Sequence, residues 1–581
     1  MTQPLQRALI APKRTERPAQ AIGLMVASAV LLLLTAAWAD GALANQNKRG
    51  LRVLSIEGVL RLQEDDIDLG TATLILSRDW GTRQTLHAYR RKIDDMAETL
   101  QNQFKEKNIP TDHRALPIIN AYLFEELGFQ TVQTADDPED LFLHIVLDRR
   151  RGYCLSLSIL YLAIAERLGL PMYGVVAPGH FFVRYDDGRR RYNIETTSQG
   201  AFVEDSYYLD KFKPPNRPNS LYMKNLTRRQ TLGCFYNNLG NSYSQVGLQD
   251  AAFAALQRAV QLAPHLGEAH TNLGNIYLHR QQHRQAIASY EQALALLGQD
   301  VITFNNMGTA WLQLKDYRKA ESSLKTALNL DPDYTEAYRN LALVYLSQGM
   351  TDKAVAQLNT AIAVKPREAQ TYLLLGQVYR QAEDLLAARK HFETALAWSA
   401  DLIEARLGLG SIHLARNEAE QAIMTFQTAL AWAPQSAQAY FGLAQAYHLL
   451  GQIDSEIWAY EQALRIDPTM TGALQNLGNA WMALEHYDAA ADLYQQAIAI
   501  DPANAALYYN LGVAMARQDL HEKAIASFLA AVELEPTNGA AFNGLAISCY
   551  QLKHYDLAYQ YARKAQSLGV EVQNALLQKQ P

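Results

Sequence analysis

The chain has 581 residues, 49% of them apolar, with 53 basic against 59 acidic side chains and a formal charge of −6. That length exceeds what one hydrophobic core supports, so at least two folded parts are expected. The balanced charge leaves no chain-wide basic footprint and argues against nucleic acid as a partner, while three cysteines, Cys154, Cys234 and Cys549, are too few and too scattered for a disulfide framework.

Residues 1–20 form a basic stretch carrying Arg7, Lys13, Arg14 and Arg17, and Ala21 to Ala39 then run without a single charge before Ala42-Leu43-Ala44. Residues 21–44 read as an export signal with an A-x-A cleavage site. As a helix the uncharged run spans about 28 Å, close to the hydrocarbon thickness of a bilayer, so a single uncleaved transmembrane anchor is the equal alternative. Either way the basic side stays in the cytoplasm, and the expected location is the bacterial cell envelope, periplasmic or anchored in the inner membrane.

Residues 51–212 form the next part. Between Arg83 and Lys105 the residues Leu86, Tyr89, Ile93, Met96, Ala97, Leu100 and Phe104 recur at spacings of three and four, which predicts an amphipathic helix. A second helix is predicted from Ala115 to Leu127, stopped by Gly128. Arg149 to Arg151 then offer either a solvated loop or a hold for an acidic substrate, and Cys154 opens an apolar helical run closing on Gly169-Leu170-Pro171. Beyond it the period changes: MYGVVAP and HFFVRY are strand-like, Asp186-Asp187-Gly188 signals a hairpin, and RRYNIETT is the returning strand.

The order is a cysteine at a helix start, a histidine (His180) at a strand start and a carboxylate (Glu195) on the adjacent antiparallel strand. A thiol nucleophile needs a base, the base needs an orienting group, and a helix N-terminus favours thiolate. Cysteine, histidine and carboxylate in this sequence of elements resemble the transglutaminase-like superfamily, whose catalytic logic is that of papain-type proteases. The stretch RRRGYCLSLSILYLAIAERLGLPMYGVVAPGHFFVRY looks like its SirB1-type branch. The resemblance covers roughly residues 60–205 and implies an α+β domain with Cys154 as nucleophile, His180 as general base and acid, and Glu195 as the group orienting the imidazole. The superfamily usually has aspartate at the third place; glutamate is one methylene longer, and Asn193 projects to the same face of its strand as a substitute.

KPPNRPNS, within residues 213–232, reads as a linker. From residue 233 to 572 the chain repeats every 34 residues. An anchor glycine stands at Gly240, Gly274, Gly308, Gly376, Gly410, Gly478 and Gly512, with alanine at Ala342, Ala444 and Ala546, and alanine recurs nineteen residues after each. Twelve residues after the anchor stand Ala252, Ala286, Ala320, Ala354, Ala388, Ala422, Ala490, Ala524 and Ala558, with Glu456 as the one exception. These positions are similar to tetratricopeptide (TPR) repeats, ten of them, and imply an all-α superhelical solenoid with the first helix of each pair on the concave side. Small anchors let paired helices approach, and prolines such as Pro264 and Pro332 end the second helix. Residues 573–581 are left as a tail.

Asn238, Asn272, Asn306, Asn340, Asn476 and Asn510 all stand two residues before an anchor. In the family geometry they form ladders of amides along the groove, able to bind an extended peptide backbone. His265, His270, His279 and His283 lack metal-ligand spacing, so no metal and no cofactor are expected. The whole is thus expected to be mostly α: a transglutaminase/papain-like domain followed by a TPR solenoid. Two functions fit it: an envelope scaffold gripping an extended protein or peptide segment, or a thiol-dependent peptidase, amidase or acyl transferase using Cys154, His180 and Glu195 on substrates the array recruits.

Overall fold

The structure, a computed structural model, describes residues 55–77, 86–132 and 138–578. The expected export segment, residues 21–44, lies outside them, as does the start of the helix predicted from Arg83. Among the described residues no helix is long and apolar enough to cross a membrane. The chain folds as two compact units, one ending at Pro332 and one beginning at Asp333.

In the first unit, helix α1 (Leu86–Glu106) buries Ile93, Met96, Ala97, Leu100 and Phe104, the face its spacing predicts. The predicted helix 115–127 is α-helical only over Leu116–Asn120 and continues as a π-helix over Ala121–Glu126, with Gly128 in the left-handed region at φ +70°. Helix α2 (Cys154–Leu168) is apolar on every side because it runs through the core: twelve of its fifteen residues are buried. Gly169, at φ 72°, ends it. A four-stranded antiparallel sheet packs against α2: β1 (Met172–Ala177), β2 (His180–Asp186), β3 (Arg191–Glu195) and β4 (Ala201–Val203), in that order. Helix α3 (Asp205–Phe212) follows.

The segment expected to be a linker over 213–232 is no spacer. Ser220, Leu221, Tyr222 and Leu226 are buried, and the N–H groups of Met223 and Leu226 donate to Val176 O and Gly174 O at 3.0 and 2.9 Å. The segment thereby covers the free edge of β1, whose backbone groups would otherwise lack partners. The first repeat helix begins at Arg228, ahead of the expected 233, because Thr227 and Gln230 close a capping box there. Phe235 on that helix packs against Phe142, ring centroids 6.4 Å apart, so the first repeats share one core with the α+β domain. Gly174 is required at this junction: a Cβ there would stand 2.5 Å from Phe181 and 3.1 Å from Thr231 of the repeat helix.

Ten helix pairs follow, from Arg228–Gln245 with Gln249–Leu262 to Gly539–Gln551 with Tyr555–Ser567; three belong to the first unit and seven to the second. The anchor rule has a direct steric cause. A Cβ on Gly274, Gly376, Gly410, Gly478 or Gly512 would fall 2.5–2.6 Å from the aromatic ring sixteen residues later, Tyr290, Phe392, Phe426, Tyr494 or Phe528. The tail expected at 573–581 also packs in part: Asn574–Leu577 make one turn, and Leu576 is buried with Ala546 and Ala562.

Candidate functional site

Cys154 is the first residue of α2, where the unpaired amides of the opening turn gather. Ser156 fixes this start. Its Oγ accepts the Tyr153 N–H at 2.9 Å and donates to Asp140 O at 2.9 Å. Asp140 is itself buried and paired with Arg149 at 3.0 Å and Arg151 at 3.3 Å, while Arg150 donates to Leu127 O at 3.1 Å. The three arginines brace the loop before the helix while staying exposed, in keeping with the solvated-loop reading.

His180 opens β2 after the turn at Pro178-Gly179. Its Nε2 lies 2.7 Å from Glu195 Oε2, and Cys154 lines the same cleft as the ring. Because Nε2 is taken by the carboxylate, Nδ1 is the nitrogen left for sulfur. Burial lowers the affinity of the ring for a proton, but the hydrogen bonds and charges of Cys154 and Glu195 outweigh it and raise its pKa to about 9. Phe212 stacks on the imidazole at 4.9 Å and 3°.

With Val183 opposite Ile194, Glu195 falls level with Phe182, so its bond to His180 is a diagonal one that the longer glutamate reaches. The carboxylate is fixed on both oxygens: Tyr208 donates to Oε2 at 3.0 Å, and Thr197 N–H donates to Oε1 at 3.1 Å. Burial opposes its ionisation, yet these bonds and His180 hold its pKa below the ordinary value. Asn193 is not the orienting group. It accepts from Arg184 Nε at 2.7 Å and donates to Asp205 at 2.8 Å, away from the imidazole.

Cys154 and His180 line a cleft of about 760 Å³ whose opposite wall is made by the first repeats, including Asn237, Asn238, Asn241, Asn272 and Asn275. Asn238 and Asn272 thus share a cleft with the thiol. The amides also bond one another between repeats: Asn272 Nδ2 to Asn237 Oδ1 at 2.9 Å and Asn306 Nδ2 to Asn275 Oδ1 at 2.8 Å. In the second unit Asn510 Nδ2 reaches Asn479 Oδ1 at 3.4 Å, Asn476 donates to Tyr460 OH at 3.1 Å, and Asn340 is half-buried on its first helix. The partners stand off the predicted column, Asn237 three residues before its anchor and Asn275 and Asn479 one after theirs, and the sequence pattern singled out only the first member of each pair. Tyr208, Phe212 and Glu268 also went unnoticed, because nothing local in the sequence places α3 or the second repeat beside His180. Among the described residues no group of three or more His, Cys, Asp or Glu is placed to hold a metal ion.

A family model described as the transglutaminase-like superfamily matches residues 87–232. Over the array, models of the cilia and flagella-associated protein 70 C-terminal domain, of a TPR repeat and of the tetratricopeptide repeat match residues 234–439, 478–519, and 437–470 with 505–538. The chain is 27% identical over 221 residues to a UPF0162 protein of Xylella fastidiosa, a match spanning 36% of this chain and 76% of that protein. It is 34% identical over 107 residues to F-box only protein 21 of Pongo abelii, spanning 18% of this chain and 16% of that one. Among solved structures, a tetratricopeptide repeat protein from Parabacteroides merdae is 19% identical with a TM-score of 0.35, spanning 43% of this chain and 98% of the other.

Proposed function

From a transglutaminase-like domain joined to tetratricopeptide repeats, a protein-interaction scaffold in its broad class, we propose a thiol-dependent acyl-transfer or amide-cleaving activity on an extended peptide held by the first repeats. One observation carries the reading: the thiol, its histidine and a wall of asparagine amides open into the same cleft. Amide side chains offer both a donor and an acceptor to a peptide backbone, which presents the same pair at each residue. The array thereby raises the effective concentration of the peptide at Cys154.

In the proposed step Sγ attacks the amide carbonyl and forms a thioester, with the α2 amides facing the developing oxyanion. The C–N bond breaks as the imidazolium of His180 gives its proton to the leaving amine. Water, or an acceptor amine, then attacks the thioester as His180 takes up a proton, releasing acid or new amide and restoring the sulfur. The uncharged run from Ala21 to Ala39 supports an envelope location for this chemistry, with residues 51–581 outside the cytoplasm.

The test is a peptide library incubated with the protein and read by mass spectrometry. New amine and acyl termini or adducts are expected with wild type and lost with Cys154→Ala and His180→Ala. An unmodified library, or alkylation of Cys154 by iodoacetamide no faster than in the unfolded chain, overturns the activity. For the location, recovery of the protein among soluble cytosolic material overturns the envelope reading.

A further inference from the structure

The seventh repeat breaks the array's own rule. Nine repeats place alanine twelve residues after the anchor, where the first turn of the second helix abuts the first helix; the seventh places Glu456. In the helix Ile453–Ile466 this glutamate is buried, its side chain 6% exposed. Withdrawing a carboxylate from water is unfavourable unless it is paired. Its hydrogen bonds come from Nδ1 of His448 at 3.0 and 3.1 Å, and that histidine side chain is 70% exposed. An exposed histidine is a weak and easily displaced partner.

Glu456 faces a cleft of about 300 Å³ within the second unit, lined among others by Leu414, Gln445, His448, Tyr460 and Asn476. Gln445 and Asn476 belong to the first helices of the seventh and eighth repeats. The lining given by the described residues holds one carboxylate, several amide groups and no lysine or arginine.

We propose that this cleft is a side-chain pocket for an arginine of a peptide lying in the array. The guanidinium forms a bidentate pair with Glu456 in place of His448, its remaining N–H groups meet the amide oxygens of Gln445 and Asn476, and its methylenes lie along Leu414. The exposed His448 ring swings aside as the arginine enters. The pocket deepens the reading that the array binds extended peptides, to which it adds one residue of sequence preference.

The test uses the full chain and single-residue probes, so that it judges the pocket without needing a peptide ligand. Saturation-transfer NMR is run with N-acetyl-arginine amide, its neutral isostere N-acetyl-citrulline amide, and N-acetyl-lysine amide. Arginine amide is expected to bind at least tenfold tighter than citrulline amide and tighter than lysine amide, and to lose binding in Glu456→Ala. That variant restores the residue found in the nine other repeats and is expected to keep or raise the melting temperature. His448→Ala, which removes the competitor, is expected to bind arginine amide at least threefold tighter. Equal binding of arginine and citrulline, equal binding of arginine and lysine, arginine binding that survives Glu456→Ala, or binding unimproved by His448→Ala overturns the proposal. Failure of the peptide reading in the first unit, seen as an unmodified peptide library, would leave these outcomes unchanged.

Discussion

The carboxylate of Glu268, on the second repeat, accepts the backbone N–H of Gly179 at 3.4 Å, one residue ahead of His180. Tyr222 of the segment before the array shares a cleft with the same carboxylate. The turn that presents the histidine is thus held by the array as well as by its own sheet, and the first unit behaves as one body. Burial pushes the Glu268 carboxyl up to about 7.

A folded-state pKa above the unfolded value means that the folded protein holds the extra proton. The stability contributed is fully present below the ordinary carboxyl range, near 4.5, and is lost as pH rises through about 7. Glutamine is neutral throughout and keeps an acceptor for Gly179. Glu268→Gln is therefore expected to raise the melting temperature at pH 8 by a few degrees relative to wild type and to leave it nearly unchanged at pH 4.5. Thermal unfolding at the two pH values checks this; a variant that destabilises equally at both refutes it.

Against the opposing effect of burial, Cys154 and Glu195 together set when His180 loses its proton. With the imidazole pKa raised to about 9, the ring is charged across the neutral range, and the stability this proton contributes is complete below about 6.5 and lost as pH rises through 9. Glu195→Gln removes the nearest negative charge while keeping the shape. Its expected effect is to move the His180 titration, followed by the imidazole proton resonances, down from about 9 toward 6.5. Any acyl transfer that needs the protonated ring then declines from a correspondingly lower pH. A titration that stays near 9 would show that the carboxylate contributes nothing and that Cys154 alone raises the ring.

Much of this was legible in the sequence where the signal is local and periodic. The 34-residue step located the ten helix pairs, and the α1 spacing located its buried face, because both follow from a helix with one covered side. Cys154, His180 and Glu195 were legible as an ordered trio, and the structure brings them together. What stayed hidden depends on tertiary placement. The apparent linker packs along the edge of β1, Asn193 went to Arg184 because the two are paired on adjacent strands, and Tyr208 and Phe212 reach the site only through the fold of α3. The partner asparagines, Asn237, Asn275 and Asn479, were visible as letters, but their pairing required knowing which helices adjoin.

Arg184 is a wholly buried cation that ties three elements together. It donates to Asn193 at 2.7 Å, to Asp205 at the start of α3 at 2.5 Å, and to Met223 O in the edge-covering segment at 2.9 Å. Lysine has one compact donor head and cannot span three directions. Arg184→Lys and Arg184→Met are both expected to destabilise the first unit by about 2–4 kcal/mol, since either leaves buried polar groups unpaired. Loosening α3 also withdraws Phe212 and Tyr208 from His180, so alkylation of Cys154 should lose its dependence on His180. Denaturant unfolding and alkylation rates measured on the same variants decide whether the two effects travel together.

The anchor glycines give the sharpest packing test, because intrinsic helix propensity and the observed contacts demand opposite outcomes. In an exposed helix interior, Gly→Ala stabilises by about 0.5–1 kcal/mol. At Gly376 the added methyl would stand 2.5 Å from Cδ1 of Phe392, which is 1% exposed and has little room to turn. Overpacking of that kind costs about 1–3 kcal/mol, so Gly376→Ala is expected to lower stability. The array itself contains the compensating pair: the fourth repeat has Ala342 as anchor and Leu358 sixteen residues on, both buried. Adding Phe392→Leu to Gly376→Ala should therefore recover part of the loss, giving a favourable coupling in a double-mutant cycle. Buried Ala444 with buried Tyr460 shows that a ring can yield to a methyl, which places the expected cost of the single variant toward the lower end of the range. Additive losses in the cycle would mean that the glycine answers to something other than the ring beside it.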